Sequence, residues 1–170
     1  MTARLLTLAL ALSFAACGSE PDPGAEAQQA AAFAQEVDAE LVVPAERNAM
    51  AFTVGEITAP AGATVRLVMD NQATSSRAMV HNVVVLQDES AVDRIGQAGA
   101  EVPVDDSAVL AYTPLAGPGD RTAVVFTMPP AGRYPFICTY PGHYRLMQGV
   151  LVSTPPEADA PPEGSGQAEG

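Results

Sequence analysis

The chain has 170 residues, room for one domain and its flanks. Its 20 acidic side chains face 8 basic ones, all arginine, for a formal charge of −12 at pH 7, and the sequence shows no basic patch or stripe of the kind a nucleic-acid binder carries. With two histidines, two cysteines and no tryptophan, few side chains are available for chemistry. The acidity sits in the flanks: seven acids lie between Glu20 and Glu46 and four between Glu157 and Glu169, while residues 47–153 hold nine acids against seven arginines.

Residues 1–16 read as an export signal. Arg4 supplies a positive start, and Leu5 to Phe14 is an apolar run too short to span a membrane as a helix. Small Ala15 and Ala16 then lead into Cys17. This arrangement resembles a bacterial lipoprotein signal, which implies a lipid on Cys17 and an envelope or periplasmic protein anchored to a membrane. The alternative is cleavage after an alanine, which leaves Cys17 as an unpaired exported thiol. With Cys17 lipidated, Cys138 is the only thiol left in the domain, so no intramolecular disulfide forms.

Residues 17–46 are expected to be the lipidated cysteine and a flexible acidic linker. The run AEAQQAAAFAQEV (25–37) holds good helix formers but no wide apolar stripe, so it predicts a transient helix within a spacer. The domain is expected over 47–153. Val65, Leu67 and Met69 alternate with Arg66 and Asp70, residues 79–87 are a β-branched run, and Val124, Phe126 and Met128 share a face. So do Tyr134, Phe136 and Cys138, and likewise Met147, Gly149, Leu151 and Ser153. Turn signals at 60–62, 117–120 and 129–132 separate these strands, and only 88–99 looks briefly helical. The pattern predicts an all-β, Greek-key sandwich of about seven to eight strands. Residues 154–170, rich in Pro, Glu and Gly, have almost nothing to bury and predict a disordered tail.

Chemistry concentrates in CTYPGHYRLMQG, residues 138–149. Cys138 ends a strand, and a loop rich in Pro and Gly can fold His143 and Met147 back towards it. His81, on another strand, is the fourth candidate. Two imidazoles, a thiolate and a distant thioether describe a blue-copper electron-transfer site, because soft sulfur suits Cu(I) and imidazole suits both oxidation states. The bland readings are a structural histidine in a β-run, an inert buried cysteine and a core methionine. Both histidines of the chain nevertheless fall in metal-like contexts.

These residues carry a resemblance. MVHNVVVL (79–86), DDSAVLAYTPL (105–115) and CTYPGHYRLMQGVLV (138–152) resemble the azurins and auracyanins of the cupredoxin family, over about residues 48–153. The resemblance implies one type 1 copper ion, with His81, Cys138 and His143 as close ligands and Met147 as the weak axial one. It implies that Asn82 and Thr139 tie the two ligand loops together by hydrogen bonds, where the alternatives are a turn cap and an ordinary strand residue. It also implies an exposed apolar docking patch of Met79, Pro141, Gly142 and Leu146 around His143. Val80 stands where azurins carry a glycine whose carbonyl approaches copper, so that carbonyl is not counted as a ligand. Tyr140 and Tyr144 are expected to be packing or surface residues.

The expected function is single-electron transfer by a monomer, between redox proteins such as cytochromes or a terminal oxidase. A copper storage or delivery module is the alternative, although such modules need exposed Met or His clusters. A multicopper enzyme would need further histidines, and a metal-free adhesive sandwich would leave the four-ligand pattern without a reason.

Overall fold

The computed structural model describes residues 23–74, 79–100, 102 and 105–156. The signal segment and Cys17 lie outside these residues, as does the tail from 157 onward. Eight strands form two sheets: β1 (Ala39–Ala45), β2 (Glu56–Pro60), β3 (Thr64–Asn71), β4 (Val84–Leu86), β5 (Val109–Tyr112), β6 (Arg121–Thr127), β7 (Gly132–Ile137) and β8 (Gln148–Thr154). One sheet has the order β1-β3-β6 and the other β2-β8-β7-β4-β5. The pairs β1–β3 and β2–β8 are parallel, and the remaining pairs are antiparallel. This is the sandwich that the alternating pattern predicts.

The main core lies between the sheets. Leu41, Val43, Val65, Leu67 and Met69 meet Val85, Phe136 and Leu151, all buried. Each such side chain contributes roughly 1.5–3 kcal/mol by leaving water. A smaller core covers the outer face of the second sheet, where Val84, Leu86 and Ile137 pack against Ile95 and Tyr144. Ile95 belongs to the helix α2 (Val92–Ala98), which follows a 3-10 turn at Glu89–Ala91 capped by the Asp88 carboxylate. This is the helical excursion expected over 88–99. It explains why β4 is buried on both faces. Two close approaches require glycine here. A Cβ on Gly149 would lie 2.2 Å from the Phe136 ring across the β7–β8 ladder, and one on Gly96 would lie 2.3 Å from Tyr144.

The linker expectation needs correction at two places. Residues 39–45 form strand β1, hydrogen-bonded along the whole length of β3. The ordered domain therefore begins well before residue 47. Upstream, α1 (Pro23–Ala34) is a docked helix. Its half-buried Gln29, Ala32 and Phe33, spaced three and four apart, face the first sheet. Polar groups hold it there. The Gln29 amide donates to the Ala123 carbonyl at 3.1 Å and accepts from the Ala123 N–H at 2.7 Å. Arg66 donates from Nε to the Ala32 carbonyl at 2.8 Å and from its other end to the Gln35 carbonyl. Arg121 stacks on the Phe33 ring at 5.8 Å.

Candidate metal centre

The metal-ligand candidates come from two places that the fold joins at one end of the sandwich. His81 lies between β3 and β4, held by a two-way bridge: its N–H donates to the Ala116 carbonyl at 3.1 Å and its carbonyl accepts from the Ala116 N–H at 2.7 Å. The buried Asn71 amide donates to the Met79 carbonyl at 2.8 Å and to the Ala116 carbonyl at 2.9 Å. The second place is the loop joining β7 to β8. The Cys138 N–H donates to the Met147 carbonyl at 3.1 Å and closes this loop. Within it, Gly142 takes φ of +85°, a left-handed turn that glycine makes without strain. The His143 carbonyl then accepts from the N–H groups of both Leu146 and Met147 at 2.9 Å.

The structure brings His81, Cys138 and His143 together, all buried. The two Nδ1 atoms are 3.2 Å apart, and Cys138 Sγ lies 3.9 Å from Nδ1 of His81 and 3.7 Å from Nδ1 of His143. A three-coordinate metal with bonds of about 2.0–2.3 Å has ligand-to-ligand edges of about 3.5–3.8 Å. The observed edges, 3.2–3.9 Å, bracket that range, so one ion fits within the triangle. Met147 is fully buried on the same loop and shares a core cluster with Cys138. Its backbone ties to both His143 and Cys138.

The electrostatics prepare a soft-cation site. Burial, with the neighbouring His143 adding to it, pushes His81 down to about 4, and burial also lowers His143. Both imidazoles are therefore neutral at pH 7, which is the ligating form. Burial pushes the Cys138 thiol up to about 11, although the backbone N–H groups of Asn82 and Tyr140 bond its sulfur and oppose that rise. An arriving cation must displace the thiol proton, so binding releases a proton. Nε2 of His81 is buried with no hydrogen-bond partner among the described residues.

Asn82 and Thr139 do join the two places. The Asn82 amide donates to Thr139 Oγ1 at 2.9 Å, and the Thr139 N–H donates to Asn82 Oδ1 at 2.8 Å. These bonds hold neighbours of His81 and Cys138 in one fixed relation. Sequence reasoning missed three further supports. Asn71 and Ala116 clamp the His81 segment, and Thr113 Oγ1 accepts the Val83 N–H at 3.0 Å. Asn71 leaves a faint sequence signal, as a polar residue closing the apolar run of β3. Of the expected docking residues, Pro141, Gly142 and Leu146 are exposed, and Met79 is half-buried. Leu146 is 63 % exposed, and Leu115, next to Ala116, adds a second exposed leucine that was not expected. Tyr140 rests against the His143 ring at 4.9 Å, and Tyr144 is buried, so both pack as expected.

Known proteins match this picture. Residues 39–153 match the copper binding proteins of the plastocyanin/azurin family. Auracyanin-A of Chloroflexus aurantiacus is 40 % identical over 111 residues, covering 61 % of this chain and 67 % of that protein. Auracyanin-B of the same organism is 34 % identical over 122 residues, 66 % of this chain, and the match spans about half of that protein, 51 %. The solved structure of auracyanin B superposes with a TM-score of 0.65 at 30 % identity, covering 71 % of this chain and 92 % of that one. Outer membrane protein H.8 of Neisseria meningitidis is 37 % identical over 83 residues, 44 % of each chain. The chain thus belongs to the plastocyanin/azurin family of copper-binding proteins, as a cupredoxin whose His81, Cys138 and His143 fit one type 1 copper ion.

Proposed function

We propose that this chain is a single-electron carrier held at the bacterial envelope by a lipid on Cys17, with Met147 as the axial ligand of its copper. The bound ion supplies the Cu(II)/Cu(I) couple. The protein supplies a frame held by buried hydrogen bonds. Cys138 and His81 are wholly buried, the Asn82–Thr139 pair locks their neighbours, and the Cys138–Met147 bond fixes the loop. A frame of this kind leaves little to reorganise when charge changes, which favours fast transfer. His143, 4 % exposed, is the least buried of the three ligands, and the exposed Leu146 and Pro141 flank it in the chain. A small apolar patch there suits brief redox encounters, which bury roughly under 1,200 Å². Electrons pass to and from redox proteins, in our reading cytochromes or a terminal oxidase, and the carrier works as a monomer.

The convergence of two imidazole nitrogens and one thiol into a triangle of metal-binding size carries this reading. The anchor is supported by the Arg4–Cys17 signal and by a relative named as an outer membrane protein. Among the described residues, no helix is long and apolar enough to cross a membrane. Visible spectroscopy tests the site: the oxidised, copper-loaded protein shows an intense thiolate-to-Cu(II) band, and Cys138→Ser abolishes it. A variant that kept the band would overturn the ligand set. Fractionation tests the anchor, since Cys17→Ser releases the protein from membranes if the lipid is there.

A further inference from the structure

The docked helix α1 reverses the direction from which the chain enters the domain. Strand β1 starts at the end of the sandwich remote from the metal centre. Ala39 pairs with Val65, whereas Ala45 pairs with Asn71, the residue whose amide holds the carbonyls of Met79 and Ala116 beside His81. A tether leading straight into β1 would therefore enter at the far end. α1 runs the opposite way. Its last carbonyls are held by Arg66 near the start of β3, and Asp38, just beyond it, accepts the Thr64 N–H at 2.7 Å. Gln29 pairs with Ala123, which stands opposite Val68 and so lies nearer the metal end. From Gln29 back to Pro23 the helix covers about 9 Å at 1.5 Å per residue. From Val68 to Asn71 the strand covers about 10 Å. The first turn of α1 thus reaches about the level of Asn71, at the metal end of the sheet.

We propose that α1 returns the anchor point to the copper end, so that the lipid on Cys17 holds that end against the membrane and the electron partner is a redox protein lodged in the same bilayer. This rests on the Cys17 anchor proposed above. Chain length makes the orientation binding. The six steps from Cys17 to Pro23 reach at most about 20 Å, even fully extended. A domain of this size is about 35 Å across, so the anchor cannot swing round to the far end while α1 stays docked. With α1 undocked, the 22 steps to Ala39 reach about 75 Å and impose no orientation. The rival account is that α1 only shields the open edge of β6. It predicts no preferred orientation.

The test uses full-length, lipidated, copper-loaded protein on vesicles that carry a lipid-borne quencher. A fluorophore goes on Pro118→Cys, in the exposed turn whose Gly119 N–H bonds the Asn71 carbonyl, or on Ala131→Cys, in the exposed turn after β6 at the far end. The buried, copper-bound Cys138 does not compete for label. Position 118 is expected to be quenched more strongly than position 131. Ala31→Pro, on the exposed face of α1, breaks the helix and removes the difference while the copper band stays unchanged. If that variant fails to fold, Gln29→Ala is expected to narrow the difference by freeing the β6 edge. Equal quenching in the unmodified chain, or stronger quenching at 131, overturns the orientation while protein still sediments with vesicles. Protein that stays in the supernatant overturns the anchor, and the orientation with it.

Discussion

At Met147 the chemistry is one of degree. As the axial ligand proposed above, its thioether would tune the potential without being needed to hold the ion, because two imidazoles and a thiolate would already bind it. Met147→Leu is expected to raise the reduction potential and Met147→Gln to lower it, read by voltammetry; three equal potentials would remove Met147 from the site. The two histidines make a second expectation, for the copper-free protein. Burial lowers their folded values, His81 to about 4, so between that value and about 6.5 the unfolded chain binds more protons than the folded one. Stability then rises with pH across this window and is lost as pH falls through it. Urea midpoints of the apoprotein should drop between pH 7 and 4, and the drop should be smaller in His81→Gln. At the residue scale the ligand types were legible because so few candidates exist in the chain. The clamp on His81 was not, because the Asn71 side-chain amide and the Ala116 backbone lie 10 and 35 positions away in sequence, and no motif records such bonds.

Elements differed in how plainly they could be read. β3, β6, β7 and β8 could be read because each sets residues two apart against the main core, as Val65, Leu67 and Met69 do in β3 and Tyr134 and Phe136 in β7. β1 hid itself. Leu41, Val43 and Ala45 point inward, but the intervening Val42 and Pro44 are apolar too, so period 2 disappears and the acidic neighbours suggested a linker. The run 79–87 shrank to the three residues of β4, since His81 and Asn82 bond Ala116 and Thr139 instead of extending a ladder. α1 was dismissed for lack of an apolar stripe, yet it docks through an amide and two arginines. The packing of α2 yields its own test. Gly96→Ala drives a methyl into the Tyr144 ring, next in sequence to His143, and should cost about 1–3 kcal/mol as overpacking. It should also alter the copper spectrum, because moving Tyr144 moves a ligand. Gly55→Ala, which meets nothing within 4 Å, should do neither.

For the molecule as a whole, charge and patch make opposite claims on the partner. The acids of the C-terminal tail are screened beyond a Debye length of about 10 Å at 0.1 M salt. Deleting residues 157–170 should therefore leave electron self-exchange nearly unchanged at that salt, whereas Met79→Lys should slow it with the copper spectrum intact. The reverse result would move recognition from the patch to the tail. The same architecture has a bearing on how the protein comes into being. The β7–β8 hairpin that carries Cys138, His143 and Met147 is local, but β8 also pairs in parallel with β2, which sets Glu56 beside Val150. His81 reaches its partners only once β4 has settled on β7. Sheets closed by such distant pairings fold slowly, in milliseconds to seconds. An ion held from both sides stabilises only the state in which those distant segments have met. The thiolate-to-Cu(II) band expected of the loaded protein would thus also report the moment its chain has closed.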